Sequence, residues 1–290
     1  ASIAAGRRRR QNRRARVTLA IAVLTLLVFA VSLMVGRSFF SPVEVWAVLM
    51  GESVPGASFT VGELRLPRAV LAVLAGFALG AAGTTFQTML RNPLASPDVI
   101  GISTGAGAAA VIAIIVLGLN DTAVSVFALI GALVTAVVIT LLSYRGGFAG
   151  IRFILIGIGI AAMLTSVTSY ILSRAANWDI QAAMQWLAGS LNGASWERVF
   201  PLSIACAILV PVLLLCGSGL GMLRLGDDTA RALGVRVQVT RIALILSAVA
   251  LLAFATASTG PIAFVAFMAG PIAARLVGSG GSLLLPAGFG

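Results

Sequence analysis

Eight apolar runs divide the chain, and each is about 20 residues long. Apolar side chains fill both faces of each run instead of alternating, which predicts helices rather than the strands of a membrane β-barrel. A helix of about 20 residues crosses the roughly 30 Å of hydrocarbon in a bilayer. The pattern therefore predicts an all-α, polytopic transmembrane helical bundle. Its complete spans are 17–35, 69–90, 99–119, 122–142, 153–172, 199–216, 242–258 and 261–277, and a ninth begins near Leu283.

Composition supports a membrane protein and limits its chemistry. Apolar residues make up 59% of the chain, charged residues 10%, and the mean hydropathy is +1.06. A soluble domain does not bury such a fraction of apolar residues. The chain has no histidine, and its 20 basic residues are all arginine. Cys206 and Cys216 lie ten residues apart in one predicted helix, too far to bridge each other.

The arginines are distributed unevenly between the loops. With the N-terminus inside, the inner side holds fifteen arginines and three acids, and the outer side holds five arginines and six acids. This asymmetry follows the positive-inside rule and predicts a cytoplasmic N-terminus. Residues 1–16 form an arginine-rich cytoplasmic tail, for which contact with lipid is favoured over a partner-binding or nucleic-acid arm. Residues 17–290 form the transmembrane domain, which has no basic, aromatic-bearing part for nucleic acid.

Glycines give the second span a flat face. Gly76, Gly80 and Gly83 lie three or four residues apart, so a second helix can approach closely. Gly101, Gly105 and Gly107 open the third span, and close helix packing explains them better than a phosphate loop. The chain has no GxxxxGK[ST] motif and no lysine, so it cannot be its own ATPase.

Several ordered motifs resemble one family of transporters. The residues that carry the resemblance are Leu-Arg-Leu-Pro-Arg at 64–68, Asn-Pro-Leu-Ala at 92–95, Gly-Ile-Ser-Thr-Gly-Ala-Gly at 101–107, and later matches within 225–235 and 260–275. Over roughly residues 17–290 the chain resembles the FecCD-type permease subunits of ABC importers for iron–siderophore complexes, haem and vitamin B12. The resemblance implies about ten spans, so the C-terminal spans are expected to be missing from this chain.

Arg65 and Arg68 lie three residues apart at the predicted outer end of the second span. As residues alone, they are either snorkelling arginines that mark the interface or a docking point for carboxylates of an incoming protein. The resemblance favours docking of the substrate-binding protein, with Glu63 as a competitor for that contact.

The turn after the second span lies on the predicted inner side. Its prolines prevent either helix from continuing, so a rigid turn is one interpretation. By resemblance, Asn92 and Leu94 match positions that close the cytoplasmic gate. Asp98 is expected to cap the third span.

Residues 225–235 predict a short exposed helix. Asp227 or Asp228 can cap its start, Gly234 ends it, and Ala230 and Leu233 lie on one face. A plain loop is the alternative, but the resemblance identifies the segment as the coupling helix that contacts the ATPase subunit. Its residues are Gly226, Asp227, Asp228, Ala230, Leu233 and Gly234.

The fifth span is unusually rich in hydroxyl groups. These groups can bond back to their own helix, which makes packing one interpretation. Lining of the translocation pathway is the other, supported by the resemblance. The candidates are Thr165, Ser166, Thr168 and Ser169.

These observations lead to one functional prediction. The chain is expected to be a transport subunit and not an enzyme, in the bacterial cytoplasmic (inner) membrane. The spans carry no histidine and no acid, so a bare metal ion would find no converging ligands and the cargo is expected to arrive already chelated. Ferric siderophore is the first choice, with cobalamin or haem as alternatives, and this ranking rests on the resemblance.

The resemblance also implies the partners. They are a second, identical or different, permease subunit, two ATP-binding subunits, an extracytoplasmic binding protein and membrane lipid. No cofactor or metal is expected on this chain, because ATP and Mg are used by the ATPase. An ion-coupled secondary transporter is the alternative from another class, although such carriers usually need intramembrane ionisable residues.

Overall fold

The computed structural model describes residues 2–95, 100–143, 150–278 and 284–289. The described residues form helices, turns and connecting segments, with no strand among them. The α-helices are α1 (Ser2–Met34), α2 (Pro42–Leu49), α3 (Leu66–Met89), α4 (Ile102–Val111), α5 (Asp121–Ser143), α6 (Gly150–Arg174), α7 (Asn177–Ala188), α8 (Trp196–Leu215), α9 (Gly217–Leu223), α10 (Asp227–Ala232), α11 (Val237–Thr259), α12 (Val265–Val277) and α13 (Leu284–Phe289). Two π-helices, Ser58–Arg65 and Ile112–Val116, precede α3 and extend α4.

Six of the described helical segments are long and apolar enough to cross a membrane. They correspond to the predicted first, second, fourth, fifth, sixth and seventh spans, and they confirm the all-α, polytopic architecture. The third and eighth predicted spans correspond to the shorter apolar helices Ile102–Val116 and Val265–Val277. The predicted ninth span begins among residues outside the described ones, and Leu284–Phe289 follows them.

Helix α3 forms the centre of the bundle. It packs against α1, α8, α11, α12 and α13, and every residue from Ala78 to Met89 is buried. A Cβ at Gly83 would collide with the carbonyl of Ala266 on α12, so glycine is required for this approach. The predicted close packing is thus correct at Gly83. It is wrong at Gly76, where open space surrounds the Cα because that position faces away from the neighbouring helices.

Helix α1 is continuous through the arginine-rich tail. It runs for 33 residues from Ser2 to Met34, about 50 Å at the standard rise, so residues 2–16 are not separated from the span by a break. Arg13 donates a hydrogen bond of 3.3 Å to the carbonyl of Leu276, in the last turn of α12. Carbonyls in the last turn of a helix have no partner within that helix, and Arg13 supplies a donor to one of them.

Two shorter helices, α2 and α7, lie between the long apolar ones. Ser41 caps α2, its hydroxyl accepts from the Glu44 N–H, and the Glu44 carboxylate accepts from the Ser41 N–H at 2.7 Å. The Ser41 hydroxyl also donates to this carboxylate at 2.8 Å, and the two bonds to the carboxylate, first that from the Ser41 backbone, lower the pKa of Glu44. Helix α7 lies in the segment between α6 and α8, and its Trp178 is 82% exposed.

The eighth predicted span begins later than expected. Helix α12 starts at Val265 and not at residue 261, because Phe264 has a left-handed backbone (φ 68°) that interrupts the helix. Within α12, Pro271 has no N–H to offer the carbonyl of Phe267, four residues earlier. The Gln87 side chain of α3 donates to that carbonyl over 2.8 Å and so replaces the missing donor.

Candidate functional site

Asp227, at the start of α10, joins three segments of the chain. Its carboxylate accepts two hydrogen bonds from Nη2 of Arg241 on α11, at 2.8 and 3.0 Å. It also accepts one from Nη2 of Arg91, at 3.2 Å, in the turn that follows α3. Arg91 in addition donates from Nε to the carbonyl of Leu223, at the end of α9. We call Arg91, Asp227 and Arg241 the Asp227 cluster.

The cluster is partly shielded from solvent. The side chain of Arg241 is 9% exposed and that of Asp227 is 31% exposed, whereas that of Arg91 is 47% exposed. Charge-assisted hydrogen bonds of this kind are shorter and stronger than neutral ones, and partial burial reduces their screening. The cluster therefore fixes α10 to α11 firmly and connects it to the turn at Arg91 through a more accessible contact.

Helix α10 is bounded by glycines on both sides, as predicted. Gly226 (φ 109°) precedes it and Gly234 (φ 85°) follows it, and at Gly234 this left-handed conformation ends the helix. Leu233 is 56% exposed beside that end. The predicted short helix with an exposed apolar residue is therefore present.

Two details of this prediction are wrong. Neither Asp227 nor Asp228 caps α10, because Gly226 occupies the N-cap position and no side chain bonds to the first turn. Asp227 instead belongs to the cluster, and Asp228 pairs with Arg231 over 2.9 Å on the exposed face. Ala230 is fully buried, because α10 packs its inner face on the protein. It does not share an exposed face with Leu233.

The predicted gate residues lie in the turn that begins at Arg91. Arg91 has a left-handed backbone (φ 53°), which reverses the chain after α3. The side-chain oxygen of Asn92 accepts from the Leu94 N–H at 2.9 Å and makes the turn rigid, while Leu94 is 65% exposed. Asp98, the predicted cap of the third span, lies outside the described residues.

The two arginines of the predicted docking pair have different surroundings. Arg65 donates hydrogen bonds to the carbonyls of Leu33 and Met34, at 2.9 and 3.0 Å, and to that of Ser38 at 2.6 Å. These are the carbonyls at and beyond the end of α1, which have no partner within the helix. Arg68 is exposed and forms no ion pair or hydrogen bond with the described residues. Arg65 therefore binds the end of α1, whereas Arg68 remains accessible.

The four pathway candidates lie on α6. Thr165, Ser166 and Ser169 are exposed and Thr168 is buried. Three of the hydroxyls bond back to carbonyls four residues earlier in the same helix, at 2.8 to 2.9 Å. Their exposed apolar neighbours, such as Leu155 and Met163, leave most of this helix uncovered within one chain.

Sequence reasoning missed Arg91 and Arg241 as partners of Asp227. A signal for Arg241 was present, because it lies directly before an apolar run and close in sequence to the acids of the predicted short helix. No signal pointed to Arg91, whose contact with Asp227 crosses 136 residues of sequence. In the part of the chain that the structure describes, no group of three histidine, cysteine or acidic residues could hold a metal ion.

Comparison with known proteins decides the family. The model of the FecCD transport family matches residues 24–289. The chain belongs to the FecCD transport family. This confirms the resemblance derived from the motifs, and with it a multi-pass membrane permease.

Several curated relatives match this FecCD chain over most of its length. It is 41% identical over 236 residues to the ferric enterobactin transport system permease protein FepG of Escherichia coli (strain K12), which covers 81% of the chain and 72% of FepG. It is 40% identical over 267 residues to the achromobactin transport system permease protein CbrC of Dickeya dadantii (strain 3937), with 91% and 76% covered.

A solved structure has the same fold. It is an inward-facing conformation of a transporter assigned to the metal-chelate type of ABC transporter, and it matches with a TM-score of 0.84. The match covers 95% of the FecCD chain and 86% of the other, at 24% identity. At that identity the likeness concerns the fold alone.

Proposed function

We propose that the chain is the membrane-spanning permease subunit of an ATP-driven importer that moves a ferric siderophore into the cytoplasm. Membership of the FecCD transport family carries this proposal. The relatives FepG and CbrC are described as permeases for ferric enterobactin and for achromobactin, which supports a chelated cargo. Hydrolysis of ATP, with its Mg, belongs to separate ATP-binding subunits, and this chain binds no cofactor.

Its orientation places the N-terminus and α10 in the cytoplasm of a bacterium, across the inner membrane. The fifteen arginines on that side support this assignment. Arg68 then lies at the outer mouth, where it receives a carboxylate of the substrate-binding protein. A second permease subunit covers the exposed apolar side of α6, which brings Thr165, Ser166, Thr168 and Ser169 toward a shared pathway.

The Asp227 cluster provides the mechanical link in this proposal. The ATPase subunit contacts α10 at Leu233, and the cluster ties α10 to the turn of Asn92 and Leu94 through Arg91. When nucleotide-driven closure of the ATPases shifts α10, the turn moves with it and the cytoplasmic gate changes state. The shift of α10 is also passed to the bundle, because Arg241 of α11 and the buried Ala230 hold this helix against it.

Uptake assays test the proposal. Cells that lack their own iron–chelate permeases and express this importer are given iron-loaded catecholate, carboxylate and hydroxamate siderophores, and separately cobalamin and haem. The proposal expects ATP-dependent uptake of at least one siderophore class and none of cobalamin or haem. Uptake of cobalamin alone contradicts the cargo, and uptake that follows an ion gradient without ATP contradicts the importer class.

A further inference from the structure

A polar cavity of about 320 Å³ lies beside the Asp227 cluster, between α3, α12 and the end of α9. Its polar lining comes from six residues, Thr84, Gln87, Thr88, Arg91, Asn92 and Arg224, and no acidic residue among the described ones lines it. Gly270, Pro271 and Ala274 of α12 form the apolar wall. We call this space the Arg224 cavity.

The hydroxyls in this wall are not used within the protein. Thr84 is 1% exposed, and its Oγ has no hydrogen-bond partner among the described residues. Thr88, one turn later and 8% exposed, likewise makes no side-chain hydrogen bond there. Thr85, between them, bonds back to the carbonyl of Ala81 at 2.8 Å. A buried hydroxyl without a partner is costly, so a partner is expected in the cavity.

Gly270 of α12 lies close to two of these groups. A Cβ at Gly270 would collide with Oε1 of Gln87 and come within 3.1 Å of Oγ of Thr84. Glycine therefore allows α12 to approach both side chains. Gln87 itself is held by the hydrogen bond that its amide nitrogen donates to the carbonyl of Phe267.

The charge of the cavity selects its ligand. Two arginines, Arg91 and Arg224, line the cavity, and Arg91 shares the carboxylate of Asp227 with Arg241. Arg224 is exposed and forms no ion pair with the described residues. The side-chain oxygen of Asn92 is occupied by the Leu94 N–H, so its amide group is left as a donor.

We propose that the Arg224 cavity binds a phosphate group, through Arg224 and Arg91 on one side and the hydroxyls of Thr84 and Thr88 on the other. Two guanidinium groups, an amide and two hydroxyls offer donors from several directions, which suits the multiple oxygens of phosphate. The group can come from inorganic phosphate or from the headgroup of an anionic lipid, since the cavity opens near the end of the bundle that carries the arginines. The inference concerns binding alone and does not depend on the transported cargo.

The test uses the purified full-length permease and two sources of phosphate. In detergent without phospholipid, isothermal titration calorimetry measures the binding of inorganic phosphate. In nanodiscs of phosphatidylcholine with or without phosphatidylglycerol, native mass spectrometry counts retained lipid. Thr84→Val and Arg224→Gln are compared with matched controls, Thr85→Val, whose hydroxyl is bonded to its own helix, and Arg236→Gln, an exposed arginine outside the cavity.

Each outcome decides for or against the site. Binding in either arm that weakens about tenfold in Thr84→Val and Arg224→Gln but not in the controls supports the site. The arm in which it occurs identifies the source as free phosphate or lipid headgroup. Absence of binding in both arms overturns the proposal, as does an equal loss in Arg236→Gln. If Thr84→Val does not fold, Arg224→Gln alone decides, because this side chain is exposed and forms no ion pair or hydrogen bond with the described residues.

Discussion

Arg91 and Asp227 meet across 136 residues of sequence, with Nη2 of the arginine 3.2 Å from the carboxylate. The contact joins the turn after the central helix α3 to the short exposed helix α10. Because Arg241 holds the same carboxylate from α11, Asp227 is shared between a buried and an accessible arginine. One side chain therefore connects the element that a partner can reach to the predicted gate.

Loss of the charge at Asp227 is expected to destabilise the protein. Asp227→Asn leaves Arg241, which is 9% exposed, without its carboxylate. We expect the free energy of unfolding to fall by about 2 kcal/mol, because a largely buried charge loses the opposite charge of Asp227. Denaturant unfolding of the purified permease measures the change.

Asp228→Asn is the matched control on the same helix. Among the described residues Asp228 pairs with Arg231 alone, and both side chains are exposed, at 98% and 58%. Exposed pairs contribute little, so the change should stay below about 0.5 kcal/mol. Equal losses in the two variants would show that the Asp227 cluster has no special role in stability.

The hydrogen bond from Gln87 to the Phe267 carbonyl predicts a rescue. Gln87→Leu leaves that carbonyl without a donor and should lower the free energy of unfolding by about 1–3 kcal/mol. Adding Pro271→Ala restores a backbone N–H four residues after Phe267, so the double variant should recover part of the loss. Unfolding of the four members of this double-mutant cycle gives the coupling energy. Strict additivity would contradict the assignment.

The docking pair separates into a structural and an accessible arginine. Arg65→Ala removes the donors to the end of α1 and should lower stability by about 1–2 kcal/mol, whereas Arg68→Ala should leave it unchanged. Arg68→Glu should weaken binding of the substrate-binding protein about tenfold at low salt, because a rim charge guides association. Surface plasmon resonance at two salt concentrations measures the affinity. Unchanged affinity in Arg68→Glu would remove this residue from the docking surface.

Leu233 is expected to contact the ATPase subunit. It is 56% exposed at the end of α10, and a charge there should disrupt an apolar interface. Leu233→Asp is predicted to lower uptake about tenfold while the ATPase keeps its basal activity. Leu233→Met keeps the apolar surface and serves as the control. Normal uptake in Leu233→Asp would exclude this contact.

The sequence predicts most of the fold because long apolar runs have few alternatives in lipid. It misplaces the start of α12, since the left-handed backbone of Phe264 depends on tertiary packing and leaves no mark in composition. It predicts the end of α10 from Gly234, but it assigns the N-cap to Asp227 or Asp228, where the structure has Gly226. It assigns Ala230 to the wrong face, because only the packing of α10 on the bundle decides which side is covered.

The candidate site is less accessible to sequence reasoning. The motif around Arg65 resembles a docking site, but the three carbonyls that this arginine binds come from another segment. Likewise, the local sequence predicts that Asp227 caps a helix, whereas the fold brings it together with Arg91 and Arg241. Side-chain partners distant in sequence follow from the arrangement of helices, which local patterns do not specify.

The coupling ratio in proteoliposomes tests the central claim most directly. The number of ATP molecules hydrolysed per siderophore transported is measured for the wild-type importer, for Arg91→Gln and for Arg236→Gln, an exposed arginine outside the cluster. If the Asp227 cluster transmits motion from α10 to the turn of Asn92 and Leu94, the ratio rises at least about fivefold in Arg91→Gln and stays unchanged in Arg236→Gln. An unchanged ratio in Arg91→Gln, with the ATPase still bound, would contradict the account.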